Sequence, residues 1–454
     1  MKQKIKLMRW LYVLILIMCA TPAFLRAAGN PSKDRTVVVI SLDGFPAYAL
    51  DDPRLPIPTL RKLAREGVVA ASMQPVNPTV TWPNHTAMVT GVDASVHHVL
   101  YNGLLIRENG KAPAIEPWKD KDVMVHAPTV YDIAYQAGLT TAQVDWVAIY
   151  GAKTITWKFP ELPDPSGAIE QEMIADGTVT AEQLKTFENS SQAWQDEMWT
   201  DAAVKILEKH RPNLLLFHLL TLDDINHEYG PMSPASFTAI ALLDSHVKQI
   251  LDALQRSGQS KNATVIVVSD HGFRAIKHRI HPNVLLRQKG FLSEAQDASK
   301  GARVLPDGGI AMVYLAGPSK SELAAKLREV FTGAEGIDHV YGTEDLPKLG
   351  LPTPAMSDQA PDLVLAATPD YLFANESDGD YVTTAVGGTH GYLNTDPKMQ
   401  AIFIASGAGV PKGVHLGSIS NLDVAPTIAA LLGLEMNQIK GHAIEQIVEF
   451  NAAH

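Results

Sequence analysis

Three apolar runs in this 454-residue chain share one ending. Val37-Val38-Val39-Ile40-Ser41-Leu42 runs into Asp43, Leu214 to Leu222 runs into Asp223, and Thr264-Val265-Ile266-Val267-Val268-Ser269 runs into Asp270. Near-continuous apolarity, rather than strict alternation, is the pattern of strands covered on both faces, as in a parallel sheet. Asp362 to Ala367 and Ala401 to Ala405 read as two more strands. Helical patterns at about 58–66, 181–209, 233–256 and 422–433 separate the runs, and this alternation predicts an α/β fold with crossover helices. Ligands of such sheets bind beyond the carboxyl ends of the strands. Three carboxylates delivered to that one edge repel one another unless cations are held between them.

Composition restricts what those cations serve. With 38 Lys and Arg against 49 Asp and Glu, a net charge of -11, the chain lacks the basic surface of a nucleic-acid coat. An anionic substrate therefore needs a locally positive site. Sixteen His beside a single Cys direct any metal chemistry to imidazole and carboxylate ligands.

Residues 1–28 have a character of their own: Lys2, Lys4, Lys6 and Arg9 precede the apolar run Trp10 to Ala20, and small residues follow through Ala27 and Ala28. This is the pattern of a secretory signal peptide, with an apolar run too short for a stable membrane anchor. Cleavage there removes Cys19 and leaves a periplasmic or secreted protein without disulfides. Residues 29–454 read as one catalytic domain with two inserted cap segments. The first, about 103–200, is rich in Pro, Gly, Trp and acidic residues. The second, about 272–385, carries its own apolar run at Ile310 to Leu315 and a helical pattern from Ser319 to Phe331.

Four short segments carry the chemistry. Asp223 and His227 are four apart, on one face of a helical turn, and a carboxylate and an imidazole so placed suit zinc. In Asp270-His271-Gly272-Phe273 both polar side chains reach one ion only if the backbone turns, which Gly272 permits. Gly387-Gly388-Thr389-His390-Gly391 sets a His among glycines, where backbone approaches closely. In Thr79-Val80-Thr81-Trp82-Pro83-Asn84-His85, Pro83 suits the first turn of a helix, so Thr81 is predicted just before a helix N-terminus that favours an anion. Each segment alone has a plain structural reading. Taken with Asp43, they supply three Asp, at least three His and a hydroxyl, the makings of a two-metal site with its own nucleophile.

In their order along the chain, Leu42-Asp43-Gly44, Thr81-Trp82-Pro83-Asn84-His85, Asp223 with His227 before Tyr229-Gly230-Pro231, Ser269-Asp270-His271-Gly272 and Thr389-His390-Gly391 resemble the nucleotide pyrophosphatase/phosphodiesterase branch of the alkaline phosphatase superfamily. The resemblance spans about 36–435. It implies a three-layer sandwich with a central, mostly parallel sheet. It implies one zinc held by Asp43, Thr81, Asp270 and His271 and another by Asp223, His227 and His390, although manganese and iron also take Asp/His sites. Thr81 is then the nucleophile, passing through a phosphothreonine. Asn102 donates to a phosphoryl oxygen, and Trp82 stands where nucleotide-cleaving members stack an aromatic ring on the base. The substrate implied is a small, nucleotide-like phosphate ester. Trp rather than Phe after the nucleophile, and the lack of a disulfide framework, separate the chain from the animal enzymes. Neither Lys nor Arg occurs in the motif segments, which favours a diester over a monoester. A phosphonate hydrolase, a phosphomonoesterase and an inactive periplasmic binder on the same scaffold are the rival readings, and the sequence leaves oligomeric state open.

Overall fold

The computed structural model describes residues 31–108, 111–293 and 299–448; the signal-peptide reading at 1–28 lies outside the described residues. Eight strands form the central sheet: β1 (Thr36–Leu42), β2 (Val68–Gln74), β3 (Thr141–Val144), β4 (Trp157–Phe159), β5 (Leu214–Leu219), β6 (Ala263–Val268), β7 (Phe403–Gly407) and β8 (Val414–Ser420). Their order across the sheet is β8-β2-β7-β6-β1-β5-β3-β4. All neighbours run parallel except β7, which is antiparallel to both β2 and β6.

Every residue of β1, β5 and β6 is buried, as their apolarity requires. Alternate side chains serve opposite layers. Val38, Ile40 and Leu42 pack with Leu60 of helix Pro58–Glu66, Ile240 and Leu243 of helix Pro234–Arg256, and Trp199 of helix Gln192–Lys205. Val37 and Val39 pack with Met88 of helix Thr81–Thr90, Tyr131 of helix Val130–Gln136 and Ile428 of helix Val424–Leu431. Each such fully buried side chain contributes about 1.5–3 kcal/mol. The result is a three-layer α/β sandwich.

The register brings the motifs together. Leu42 pairs with Leu219 and Ser41 with Val268, so the segments after β1, β5 and β6 leave the sheet side by side. The run predicted as strand to Leu222 stops at Leu219 because the buried Asp196 carboxylate accepts from the N–H groups of Leu220 and Thr221, both at 3.0 Å. That bond opens helix Thr221–Tyr229, and Asp223 lies in its first turn rather than on a strand end. The helix read at 181–209 is likewise interrupted: Ala181–Lys185 and Gln192–Lys205 are separate helices, each begun at its own Thr180 or Ser191 boundary.

The insertion boundaries need one correction. The stretch 103–200 contributes β3 and β4 to the central sheet and helix Gln192–Lys205 to its core, so much of it is scaffold. The second stretch does build its own sheet, antiparallel in the order Gly301–Asp307, Ile310–Ala316, Leu363–Ala367, Ile337–Gly342, covered by helix Lys320–Phe331. The Asp362–Ala367 run belongs here and not to the central sheet. Burial on both faces looks the same in sequence whichever core supplies it.

Candidate metal centre and nucleophile

One oxygen of each of Asp43, Asp223 and Asp270 is engaged by the protein and the other is open. Asp43 Oδ2 lies 3.0 Å from His218 Nε2; Asp270 Oδ1 accepts from the Gly44 N–H at 3.2 Å; Asp223 Oδ2 lies 3.3 Å from His227 Nε2. Among the described residues, Asp43 Oδ1, Asp270 Oδ2 and Asp223 Oδ1 are buried with no hydrogen-bond partner, as is His271 Nε2. His271 Nε2 stands 3.0 Å from Asp270 Oδ2 and 3.4 Å from Asp43 Oδ1, and His390 Nε2 stands 3.8 Å from Asp223 Oδ1. Two groups result, Asp43 with Asp270 and His271, and Asp223 with His271 and His390, the ligand atoms of each lying within 4.8 Å of one another. His271 is common to both, and His227 joins through Asp223.

The imidazoles are oriented from behind. Nδ1 of His227 meets the carbonyl of Gly388 at 3.2 Å, that of His271 the carbonyl of Gly272 at 3.1 Å, and that of His390 the carbonyl of Thr79 at 3.0 Å. A carbonyl only accepts, so Nδ1 carries a proton in all three rings and Nε2 is the nitrogen left facing the carboxylates. Two glycines make this possible. A Cβ on Gly387 would fall 2.0 Å from the His227 carbonyl oxygen, and one on Gly272 would fall 2.0 Å from the Lys398 carbonyl oxygen. Gly272 thus admits a neighbouring chain, a different service from the free turn expected of it.

Thr81 is the first residue of its helix, one position later than expected, with Val80 as the N-cap. The Trp82 N–H donates to Asn102 Oδ1 at 2.9 Å, Pro83 has no N–H, and the Asn84 N–H reaches the Val80 carbonyl at 3.2 Å. Among the described residues no acceptor faces the Thr81 N–H. Because Asn102 Oδ1 is used by Trp82, its NH2 group remains as a donor, and the residue is exposed. The segment lies between the two ligand groups: Thr79 O receives both His390 Nδ1 and the Gly391 N–H, while Thr81 O receives His85 Nδ1 at 2.8 Å, and His85 in turn lies 3.8 Å from Asp270. Trp82 is buried in an apolar cluster with Val99, Met124, Val125 and Val147, its ring 5.5 Å from that of Tyr150.

The electrostatics are those of a site that needs cations. Burial, with Asp270 and Asp223 close by, raises Asp43 to about 8. Burial disfavours the imidazolium of His271, yet Asp270, Asp43 and Asp223 outweigh it and raise that group to about 9. Burial and the neighbouring His271 hold His390 down at about 3. Protons are thus shared out among acidic and basic groups too crowded to ionise together.

Sequence reasoning passed over His218 and Asp145. Burial opposes the charged form of His218, but Asp145 and Asp43 on either side lift its pKa well above the ordinary value. The signal was a lone imidazole in the all-buried strand β5, which is costly unless partnered. Asp307, at the tip of the cap hairpin, also escaped notice: its Oδ2 is buried without a partner among the described residues, and the hairpin is tied to the ligand loop by the Gly309 N–H donating to the His390 carbonyl at 2.9 Å. Other imidazoles and aromatic rings serve elsewhere. His97 Nδ1 accepts from the Val99 N–H, His281 contacts Glu376 in the cap, and Trp157 stacks on His210. Trp146 sets its ring against His85 at 4.8 Å.

Residues 37–393 match the family model described as type I phosphodiesterase / nucleotide pyrophosphatase, well over half of the chain. The chain belongs to that family. Among its relatives in the type I phosphodiesterase/nucleotide pyrophosphatase family, ectonucleotide pyrophosphatase/phosphodiesterase family member 7 of Rattus norvegicus is 23% identical over 90% of this chain and 86% of its own length. A pyrophosphatase/phosphodiesterase of Schizosaccharomyces pombe is 25% identical, with 88% and 77% covered. The match to member 1 of Mus musculus is 25% identical but spans only 40% of that longer protein. Human ectonucleotide pyrophosphatase/phosphodiesterase 5 shares the fold at a TM-score of 0.69 and 19% identity, covering 92% of this chain and 99% of that one. Its murine counterpart, solved also as an inactive variant in complex with AMP, gives 0.68. No described helix of this family member is long and apolar enough to cross a membrane.

Proposed function

We propose that this chain is a metal-dependent phosphodiester hydrolase acting on small, nucleotide-like phosphodiesters, with Thr81 as nucleophile and two zinc ions. The observation that carries this reading is the set of open, buried atoms: Asp43 Oδ1, Asp270 Oδ2, Asp223 Oδ1 and His271 Nε2 have no partner among the described residues. Unpaired buried carboxylates and imidazole lone pairs are costly, and divalent cations satisfy them. The donor set fits: Asp43, Thr81, Asp270 and His271 would hold one ion, and Asp223, His227 and His390 the other.

A divalent ion in each place supplies Lewis acidity, acidifying a hydroxyl and offsetting charge on a departing oxygen. The chain's own residues do the rest. Helix Thr81–Thr90 aims the Thr81 hydroxyl, whose Oγ1 attacks phosphorus in line as the bond to the leaving alcohol breaks. Its free N–H and the Asn102 NH2 donate to the equatorial oxygens. Water then cleaves the phosphothreonine and returns Thr81. Trp82 follows the nucleophile and packs near Tyr150, and an aromatic pair there would suit a base or other flat leaving group.

The cations of the surrounding segments favour a diester. Arg274 is held by Asp396 at 2.8 Å, and Arg107 lies over the Tyr314 ring at 5.4 Å. Among the described residues, neither forms an ion pair with Asp43, Asp223 or Asp270. We also read residues 1–28 as directing the protein to the periplasm or the exterior. Zinc-loaded protein is expected to cleave a bis-aryl phosphate at least tenfold faster than a mono-aryl phosphate. A reversed preference, or release of phosphate from a phosphonate alone, would transfer the site to one of the rival chemistries.

A further inference from the structure

We propose that His218, gripped between Asp145 and Asp43, is a positioning residue that fixes Asp43 as a single-oxygen ligand and so sets the affinity of the cation beside Thr81. The inference rests on the functional reading above and concerns a residue outside the ligand set.

Asp43 has two oxygens and they are treated differently. Oδ2 lies 3.0 Å from His218 Nε2, while Oδ1 has no hydrogen bond and points toward His271 Nε2 at 3.4 Å. A carboxylate tied at one oxygen cannot swing to present both to a metal ion, nor turn away from it. The ring that ties it is itself fixed. His218 Nδ1 hydrogen-bonds the Asp145 carbonyl at 3.1 Å and lies 3.0 Å from the Asp145 Oδ2 atom. Since a carbonyl only accepts, Nδ1 carries a proton. Asp145 is folded back on itself to bring both groups to the ring, at a positive φ of 54° that a non-glycine residue adopts rarely. The ring also meets His85 in an edge-type contact, with centroids 4.4 Å apart, and His85 is edged by Trp146.

His218, Asp43 and Asp145 are all fully or almost fully buried, at 0%, 1% and 0% exposure. A strand core filled by another Leu or Phe would bury more apolar surface at less electrostatic cost. What the imidazole adds is orientation of the one carboxylate it touches. The arrangement parallels the backing of the three ligand imidazoles by carbonyls, here with a histidine behind a carboxylate.

The test uses the full mature chain, stripped with chelator and titrated with Zn2+ against a chromophoric competitor, for wild type, His218→Phe, His218→Gln and Asp145→Ala. Near-ultraviolet circular dichroism establishes that each is folded. Wild type is expected to take two ions. His218→Phe should weaken one of them by about 10- to 100-fold and leave the other at its wild-type affinity. His218→Gln keeps an amide donor able to reach Asp43 Oδ2 and should recover most of the loss. Asp145→Ala should weaken the same ion, and it decides the matter if His218→Phe does not fold. Two wild-type affinities in folded His218→Phe or Asp145→Ala, or an equal loss at both ions, would overturn the proposal. A wild type that binds no zinc overturns the functional reading instead, and that result is in hand before any variant is compared.

Discussion

Asp43 and Asp270 follow neighbouring parallel strands, and each places its open oxygen within 3.4 Å of the same atom, His271 Nε2. Two carboxylates and an imidazole converge on a buried point with nothing of the protein between them. Removing one of these two carboxylate donors should therefore remove the ion. Asp270→Asn keeps the size and its bond from Gly44 but halves the charge available to the ion. Zinc stoichiometry by atomic emission should fall from two toward one, with diester turnover reduced at least about 100-fold. Retention of both ions would contradict the assignment.

Metal removal should register as lost stability, because the ion binds only the folded arrangement. At free zinc a thousandfold above its dissociation constant, one ion stabilises by about 4 kcal/mol. The chelated protein should melt at a clearly lower temperature and recover on adding zinc. Equal melting temperatures would mean that the open oxygens are not a metal site.

The acid limb of stability has a source away from the metal centre. Burial holds the His97 pKa at about 3, below its ordinary 6.5. The unfolded chain takes up that proton below about pH 6.5 and the folded chain does not. His97 therefore leaves stability unchanged above pH 6.5 and erodes it by about 1.4 kcal/mol per pH unit below, down to about pH 3. His97→Asn keeps an acceptor for the Val99 N–H and lacks the proton site. Urea midpoints measured from pH 7 to 4.5 should fall less steeply for the variant. Parallel curves would show that His97 does not contribute.

Asn102 has two separable groups: its oxygen accepts from the Trp82 N–H, and its NH2 is the donor proposed for the phosphoryl oxygens. Asn102→Ala loses both, and kcat for a diester should drop about 100- to 1000-fold. Asn102→Asp preserves the cap and removes the donor. Activity should stay low in Asn102→Asp while thermal stability returns to that of wild type. Full activity in Asn102→Asp would show that the amide donor is not needed.

Legibility in the sequence followed the range of the forces involved. The strands ending near Asp43, Asp223 and Asp270 were readable because burial on both faces leaves a local mark, an unbroken apolar run. Asp362–Ala367 leaves the same mark but pairs in a different sheet, since partner choice depends on residues far along the chain. The short strands Thr141–Val144 and Trp157–Phe159 show neither a long run nor alternation, and so their stretch read as an insertion. Asp223 and His227 were legible as a pair because helical spacing is local. The pairing of His218 with Asp145 and Asp43 spans 73 and 175 residues, and only the fold brings those groups within 3.0 Å.

The central claim is that Thr81 carries the phosphoryl group while the Asp and His side chains hold two zinc ions. Steady-state hydrolysis of a bis-aryl phosphate by Thr81→Ala, with zinc content measured on the same sample, tests it most directly. Turnover is expected to fall below about one-thousandth of wild type with both ions still bound. Full turnover by a Thr81→Ala protein holding two zinc ions would contradict it.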